Sequence, residues 1–469
     1  LGLSFAKAQD SLLVIKSITI QGIKTTKDKT ILREMSLKEG DSIPQNRLEA
    51  VMERNRFNVY NLGLFNDVDF NYVTDEGAVY LIILVRERWY IEPVIHANLE
   101  ERYIGEWLRD MDLDRAVFGG GINWKNFTGY NDQLYLYFQG GYDRELSASF
   151  RRPFIFPKQQ VDLQVNYNYT EKKEIELLTN YASRPENPEE GQLLFRLPKD
   201  RVRFDQNGFI HLTKRFDPLN RLTFSMGYLF YQVNDTINRI NPSYFTTVSD
   251  REYYPRVRLS FNRDYRDWKA FPLKGYRLSV NLEQSGLGFL STTHFFRVFG
   301  SYSHFHPIRK RWNYAWSIWG TYTVGSRVPY YDKVFIGAGN YLRGFEPFVV
   351  SGTSVAVVQN ELRFALIPRQ IVRFPYWKAR RPEKDLLRKF RDFPIAVYLV
   401  AFVDAGVVRD GSFNNMDPFF KDKALIGYGG GLNFLTLYDH FLRIEMSRNN
   451  IYNSRAGYYF NLTGRIAIR

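Results

Sequence analysis

Val161-Asp-Leu-Gln-Val-Asn-Tyr-Asn-Tyr169 places an apolar side chain at every odd position and a polar one at every even position. Successive residues of a strand point to opposite faces. Val161, Leu163, Val165, Tyr167 and Tyr169 therefore share one surface, and Asp162, Gln164, Asn166 and Asn168 the other. Tyr276–Glu283 repeats the pattern, with Tyr276, Leu278, Val280 and Leu282 against Arg277, Ser279, Asn281 and Glu283. The last segment sets Tyr458, Phe460, Leu462, Ile466 and Ile468 against Asn461, Thr463, Arg465 and Arg469. One such strand fits a soluble sandwich as well as a barrel wall, so the number of strands decides. Such segments start near residues 90, 115, 132, 144, 159, 203, 220 and 254, and again near 276, 293, 311, 355, 395, 425, 441 and 458. Sixteen strands of roughly ten residues match a tilted barrel crossing a bilayer. A soluble fold of that size would normally show two separable cores.

Composition agrees. The chain has 469 residues, and its longest apolar runs, Ala78–Val85 and Ile395–Val403, are strand-length. A transmembrane helix needs roughly 18 consecutive apolar residues, so a helical membrane protein is excluded. Mean hydropathy is −0.37, as expected when only alternate residues face lipid. Phe and Tyr, 38 and 32 in number, supply an aromatic excess that interfacial girdles would absorb. The absence of cysteine excludes a disulfide framework. The net charge of +14 comes from Lys and Arg that recur at polar strand positions and in turns. A nucleic-acid partner would need them on one face, so none is expected.

Residues 12–88 have a different rhythm and read as a β-α-α-β-β module, with helical spacing over Lys27–Ser36 and a second helix opened by Pro44. Asp67–Val73 and Val79–Glu87 read as strands joined by Asp75-Glu-Gly77 as a hairpin turn. Leu1–Gln9, with Ala6 and Ala8 in A-x-A spacing, reads as the tail of a secretory signal peptide or as a disordered terminus over 1–11. Residues 89–469 form the barrel. Its long connections, near 98–113, 171–202, 234–252, 326–354 and 407–424, fall on one side; Thr128–Asn131 and Asp217–Asn220 are tight turns on the other. The long basic turn at 369–393 breaks that asymmetry.

Phe335-Ile-Gly-Ala-Gly-Asn-Tyr-Leu-Arg-Gly-Phe345 puts one arginine in a glycine-rich connection, and Phe402-Val-Asp-Ala-Gly406 offers a carboxylate on a later strand. The combination suggests a loop pinned inside something hollow. No GxSxG, P-loop or HExxH pattern occurs, so no catalytic residue, metal or cofactor is expected. His304 and His306 lie on one strand face and read as members of a polar lumen.

These features together resemble the BamA/TamA-type outer-membrane insertase and translocase superfamily, also called the bacterial surface antigen family. The 12–88 module is similar to a single POTRA domain, with Gly40-Asp41 between its helices and Leu62–Phe70 leading into a strand. Asn262-Arg-Asp-Tyr-Arg-Asp267 with Pro272 and Gly275 resembles the family's Asp-x-Arg-Asp…Pro-x-x-Gly turn. Leu342-Arg-Gly-Phe345 resembles its sixth-loop motif, with Asn360-Glu-Leu-Arg363 and Phe402–Gly406 following in order. The resemblance implies that the loop at about 326–354 folds into the barrel. Arg343, Gly344 and Phe345 would then lock against Asp404, with Glu361 as second choice, while Gly337 and Gly339 let the backbone approach the wall. A guanidinium in a partly desolvated lumen needs such a carboxylate.

The resemblance also implies a non-enzymatic factor in the outer membrane of a diderm bacterium, its POTRA domain in the periplasm. It would insert β-barrel or surface proteins through a lateral seam between first and last strands. The alternative is a secretion pore exporting an unfolded partner. Expected partners are the bilayer, unfolded clients, and periplasmic chaperones or accessory lipoproteins. Pro93 and Gly464 would weaken the seam, although a proline tolerated at a strand start reads equally well. In the basic turn, Trp377, Arg380, Arg381 and Arg388 could contact anionic lipid or a partner, or simply be solvated.

Overall fold

The computed structural model describes residues 12–99, 113–178, 192–196, 201–240, 242, 244–247, 249–325, 328–337, 342–345, 349–373, 392–409, 423–435, 441–451 and 459–464. The signal-peptide tail, Gly339, and the basic-turn residues Trp377, Arg380, Arg381 and Arg388 lie outside the described residues.

The N-terminal unit is a four-stranded sheet in the order β2-β1-β4-β3, formed by β1 (Leu12–Gln21), β2 (Ser42–Pro44), β3 (Phe65–Asp75) and β4 (Ala78–Glu87). Only the central pair, β1 with β4, is parallel. Alternate residues of those two strands, Ile15, Val79, Leu81 and Ile83, are fully buried. Helices α1 (Asp28–Leu32) and α2 (Leu48–Tyr60) cover that face with Ile31, Leu48, Met52 and Val59. The turn between β3 and β4 runs through Glu76 and Gly77, both with positive φ (44° and 83°). That conformation suits the right-handed twist of a hairpin. Two details differ from the sequence reading. The first helix is a single turn, and a short extra strand, β2, precedes the second helix; its last residue, Pro44, caps the 3-10 turn (Gln45–Arg47) that leads into α2, as the sequence reading expected. Three residues are too few to show a period, so periodicity had no purchase on β2.

From residue 91 the chain forms one sheet of sixteen strands, nearly all laid beside their sequence neighbours. The first five are β5 (Ile91–Leu99), β6 (Ala116–Lys125), β7 (Gln133–Gly141), β8 (Arg144–Phe156) and β9 (Val161–Lys172). A separate hairpin, β10 (Glu174–Leu178) with β11 (Gln192–Arg196), stands in the next connection. The wall resumes with β12 (Arg203–Arg215), β13 (Asn220–Val233), β14 (Arg251–Asp264), β15 (Gly275–Ser285), β16 (Phe295–Arg309) and β17 (Trp312–Val324). Helix α3 (Asp235–Ile240) lies between β13 and β14. A second hairpin, β18 (Val334–Gly337) with β19 (Val349–Gly352), belongs to the long connection that leads from β17 to the next wall strand. The last wall strands are β20 (Ser354–Arg373), β21 (Asp392–Arg409), β22 (Leu425–Leu435), β23 (Phe441–Asn449) and β24 (Tyr459–Gly464). The fold is mostly β: a sixteen-stranded antiparallel barrel preceded by a small α+β domain.

Exposure along the wall is inverted relative to a soluble protein. Ile210, Phe224, Met226, Leu259 and Leu282 are 41–53% exposed on the outer surface, while inward-facing Arg215, Ser225, Ser279 and Glu283 are 4–8% exposed. An outer band this apolar is a liability in water and a requirement in a bilayer. His304 and His306 belong to the outer surface, which corrects the lumenal reading. The His304 ring contacts Tyr276, Tyr302 and Trp316, all on the same face of their strands. Such a cluster suits an interfacial belt, where amphipathic rings meet headgroups.

Strands β20 and β21 are the longest, 20 and 18 residues. Their ends rise out of what the sequence reading took for a turn, and Arg369 on β20 donates to the Tyr60 hydroxyl of α2 at 2.7 Å. The α+β domain is held against the same end of the barrel by side chains on both units. Glu87 accepts from the Thr25 and Thr26 amides and the Thr26 hydroxyl, and Asn126 donates to that hydroxyl at 2.9 Å. Glu34 accepts from Arg215 at 2.6 Å.

Candidate functional site

The inward face of β20 and β21 carries three layers. Farthest from the α+β domain is an apolar layer in which Ile336, Leu342, Phe345 and Val350 of the long connection pack on Val355, Val357, Val408 and Leu425 of the wall. Nearest to it, Tyr398, Val400, Phe402 and Ala365 pack with Trp268 and Phe271 from the β14–β15 turn, in a core continuous with that of the small domain. Between the two lies a layer of charge.

Arg343 is the centre of that layer. Its Nε donates to Asp404 Oδ2 at 2.7 Å and a terminal nitrogen donates to Asp404 Oδ1 at 2.8 Å, a two-pronged pair. The other terminal nitrogen donates to Glu361 Oε2 at 2.8 Å. Its guanidinium stacks 3.8 Å from the centre of the Phe402 ring. Arg343 is 7% exposed and Asp404 fully buried, so both charges are withdrawn from water and only this geometry compensates them. The sequence reading set Glu361 behind Asp404 as an alternative partner; in the structure the arginine holds both. Glu445 of β23 lies 3.9 Å away.

The wall is shaped to let the loop in. Gly344 has φ +88° and its amide oxygen accepts from Asn449 at 2.6 Å. Gly427 of β22 stands directly across the ladder from Asp404. A β-carbon at 427 would sit 1.7 Å from the carbonyl oxygen of Arg343. Sequence reasoning missed Gly427, because the run Gly427-Tyr-Gly-Gly-Gly431 looks like ordinary strand glycine. The order of acid, strand and glycine becomes visible only once register is known. Phe345 is fully buried in the upper layer. Gly337 ends β18, paired with Val349.

The charge layer connects downward. Arg363 donates to Glu361 and, at 2.8 Å, to the carbonyl of Pro272 in the β14–β15 turn. It also stacks on Phe271 at 4.3 Å. In that turn Asp264 takes both prongs of Arg266 at 2.8 Å, and Asp267 accepts from the amides of Leu273 and Lys274. Gly275, with φ +101°, closes it where a β-carbon would collide with the Tyr265 carbonyl. The turn's carbonyls at Asp267 and Tyr265 accept from Asn61, which caps α2, and from Arg54 of α2. A continuous chain of contacts thus runs from α2 through this turn to Arg343.

The proposed seam residues sit at the two ends of the sheet. Pro93 on β5 pairs with Ile122 of β6, and Gly464 on β24 pairs with Leu442 of β23. Among the described residues no ladder joins β24 to β5. No metal-binding cluster of His, Asp or Glu occurs among the described residues.

Comparison with known proteins agrees with this architecture. The Omp85 superfamily domain matches residues 126–374, and the surface antigen variable number repeat, a POTRA model, matches residues 13–88. BamA from Haemophilus ducreyi lacking POTRA domains 1–3 is similar in fold, with 16% identity and a TM-score of 0.51 over 96% of this chain and 83% of that one. CdiB from Escherichia coli is similar with 12% identity and a TM-score of 0.52, over 99% and 91%. No curated protein matches the sequence.

Proposed function

The chain belongs to the Omp85 superfamily, a family of non-enzymatic outer-membrane transporters and insertases, and from that premise we propose that it assembles proteins into the outer membrane through a lateral seam. In this reading β24 and β5 part within the bilayer of a diderm bacterium, and their freed edges template an incoming strand by β-augmentation. The POTRA domain, on the periplasmic side, receives unfolded β-barrel or surface proteins from chaperones or accessory lipoproteins.

The observation that carries the proposal is the seam itself, where among the described residues no ladder joins β24 to β5. Sixteen strands are laddered in sequence, yet among the described residues the first and last have one partner each. A weakly paired edge inside hydrocarbon is expensive, and pairing with an incoming strand would relieve that cost. Pro93 cannot donate to a ladder, and the described part of β24 is six residues long. The lumen, by contrast, is occupied by the Arg343 loop at one level and by the β14–β15 turn at another. Export through the lumen would require both to withdraw.

The test is a disulfide engineered between β5 and β24, with insertion of a reporter barrel measured under oxidising and reducing conditions. Locked protein should be inactive and regain activity on reduction. Full activity when locked overturns the lateral mechanism. Depletion separates the remaining alternative: general loss of outer-membrane proteins supports insertion, whereas loss of one secreted product supports a dedicated secretion pore.

A further inference from the structure

A cavity of about 170 Å³ lies between α2 and the adjoining barrel turns. Six cationic side chains line it, Arg54, Arg151, Arg215, Arg221, Arg266 and Lys269, against two carboxylates, Glu34 and Asp264. Both carboxylates are already engaged. Asp264 holds Arg266 through both oxygens. Glu34 holds Arg215, whose Nε is also taken by Asp162 at 2.8 Å.

Four cations remain. Arg54 donates to the carbonyls of Tyr265 and Arg266, at 3.4 and 3.3 Å, and stacks 4.1 Å from the centre of the Tyr265 ring, while among the described residues Arg151 donates only to Asn131. The Nε of each is buried without a partner. Arg221 and the Lys269 ammonium make neither a hydrogen bond nor an ion pair within 4 Å among the described residues. Like charges gathered in a semi-enclosed space repel one another and resist desolvation. Lys269 responds accordingly: burial, and then the neighbouring Arg221, push its ammonium down to about 8. Glu34 and Asp264 offset part of that repulsion from a distance, and an anion joining the four cations would offset the rest.

We propose that this cavity binds a small phosphate-class oxyanion that bridges the POTRA domain to the barrel. Guanidinium forks match the oxygens of a tetrahedral oxyanion, and a lysine adds a point charge. Arg151, Arg215 and Arg221 all sit on the inward faces of their strands, so the ligand arrives from water and not from the lipid side. The bound anion would touch Arg54 of α2 and Arg221 and Lys269 of the barrel at once, fastening the domain over the barrel mouth.

The test uses the full chain in nanodiscs of zwitterionic lipid, titrated calorimetrically with inorganic phosphate at constant ionic strength. The expected result is saturable binding of one phosphate per chain, weakened about tenfold or more in the Arg221→Gln/Lys269→Gln variant and largely kept in Arg221→Lys. Heat-modifiable gel mobility reports whether each variant is folded. The wild-type arm decides alone if the double variant fails to fold: no saturable phosphate binding overturns the proposal. So does acetate binding as tightly as phosphate, or a folded double variant that binds as well as wild type. None of these outcomes bears on the seam, so this inference and the insertion mechanism fail separately.

Discussion

Gly427→Ala should undock the lumen loop as thoroughly as loss of its arginine's partner. The added β-carbon would stand 1.7 Å from the Arg343 carbonyl, and the backbone there must retreat by roughly 1.7 Å to reach ordinary contact. The wall cannot give instead, because Gly427 is laddered to Asp404 on one side and to Asn449 on the other. A shift of that size carries the 2.7 and 2.8 Å bonds to Asp404 past hydrogen-bonding range. Breaking a buried pair while leaving its carboxylate in place costs about 3–5 kcal/mol. The docking equilibrium would therefore move by roughly two to three and a half orders of magnitude.

Two measurements read the effect. Hydrogen exchange over 342–345 reports docking directly, and trypsin cleavage after Arg343 reports whether the guanidinium has left its acids. Asp404→Asn is the reference, and Gly300→Ala the control, since a β-carbon there meets nothing within 4 Å. Gly427→Ala and Asp404→Asn remove the same interaction, so the double variant should be little worse than either single one. Unchanged exchange in Gly427→Ala refutes the steric argument. Fully additive effects refute the claim that glycine and carboxylate serve one lock.

Three further outcomes follow from the contacts at the barrel mouth. Burial would raise the Glu34 carboxyl, but Arg215, Arg221 and Arg33 more than offset it and leave the group below its ordinary value. A depressed carboxyl contributes stability above its unfolded pKa and loses it as pH falls through the folded one. Cross-linking of the POTRA domain to the barrel should accordingly persist at neutral pH and decline below about 4, and Glu34→Gln should remove that dependence. Arg369→Ala loses the Tyr60 hydrogen bond and stacking on Trp268 at 4.5 Å; exchange should rise in α2 while the barrel keeps its heat-modifiable mobility. Arg363→Ala strips Glu361 of one of its two arginines and frees the Pro272 carbonyl, so exchange should rise in both the β14–β15 turn and the 342–345 loop.

The wall was legible because its signal is local. A period of two survives in each strand on its own, and the observed starts fall within three residues of the expected ones, as with 254 against Arg251 and 311 against Trp312. Arg343 and its acids were legible by motif and by the need of a buried guanidinium for a carboxylate. What stayed hidden was set by register or by distance along the chain. Gly427 gains meaning only from standing opposite Asp404. Glu34 and Arg215 are 181 residues apart, and nothing near either one announces the other. His304 was misplaced because parity tells which residues share a face but not which face is wet.

The three-layered column on β20 and β21 gives the Arg343 lock a mechanical consequence. The β14–β15 turn touches α2 through Asn61 and Arg54 on one side, and Arg363 through the Pro272 carbonyl on the other. Arg363 and Arg343 both hold Glu361, one on each oxygen. Movement of the POTRA domain that pulls this turn would drag Arg363, release the Glu361 oxygen that it holds, and leave that carboxylate free to swing away from Arg343. Contact continuity does not by itself demonstrate coupling; a cycle does. If the column transmits, Asn61→Ala and Asp404→Asn should each increase exchange at the other's end, and their combined effect should fall short of the sum. If each perturbs only its own end and the two effects add, the POTRA domain and the lumen loop are independent devices that share a wall.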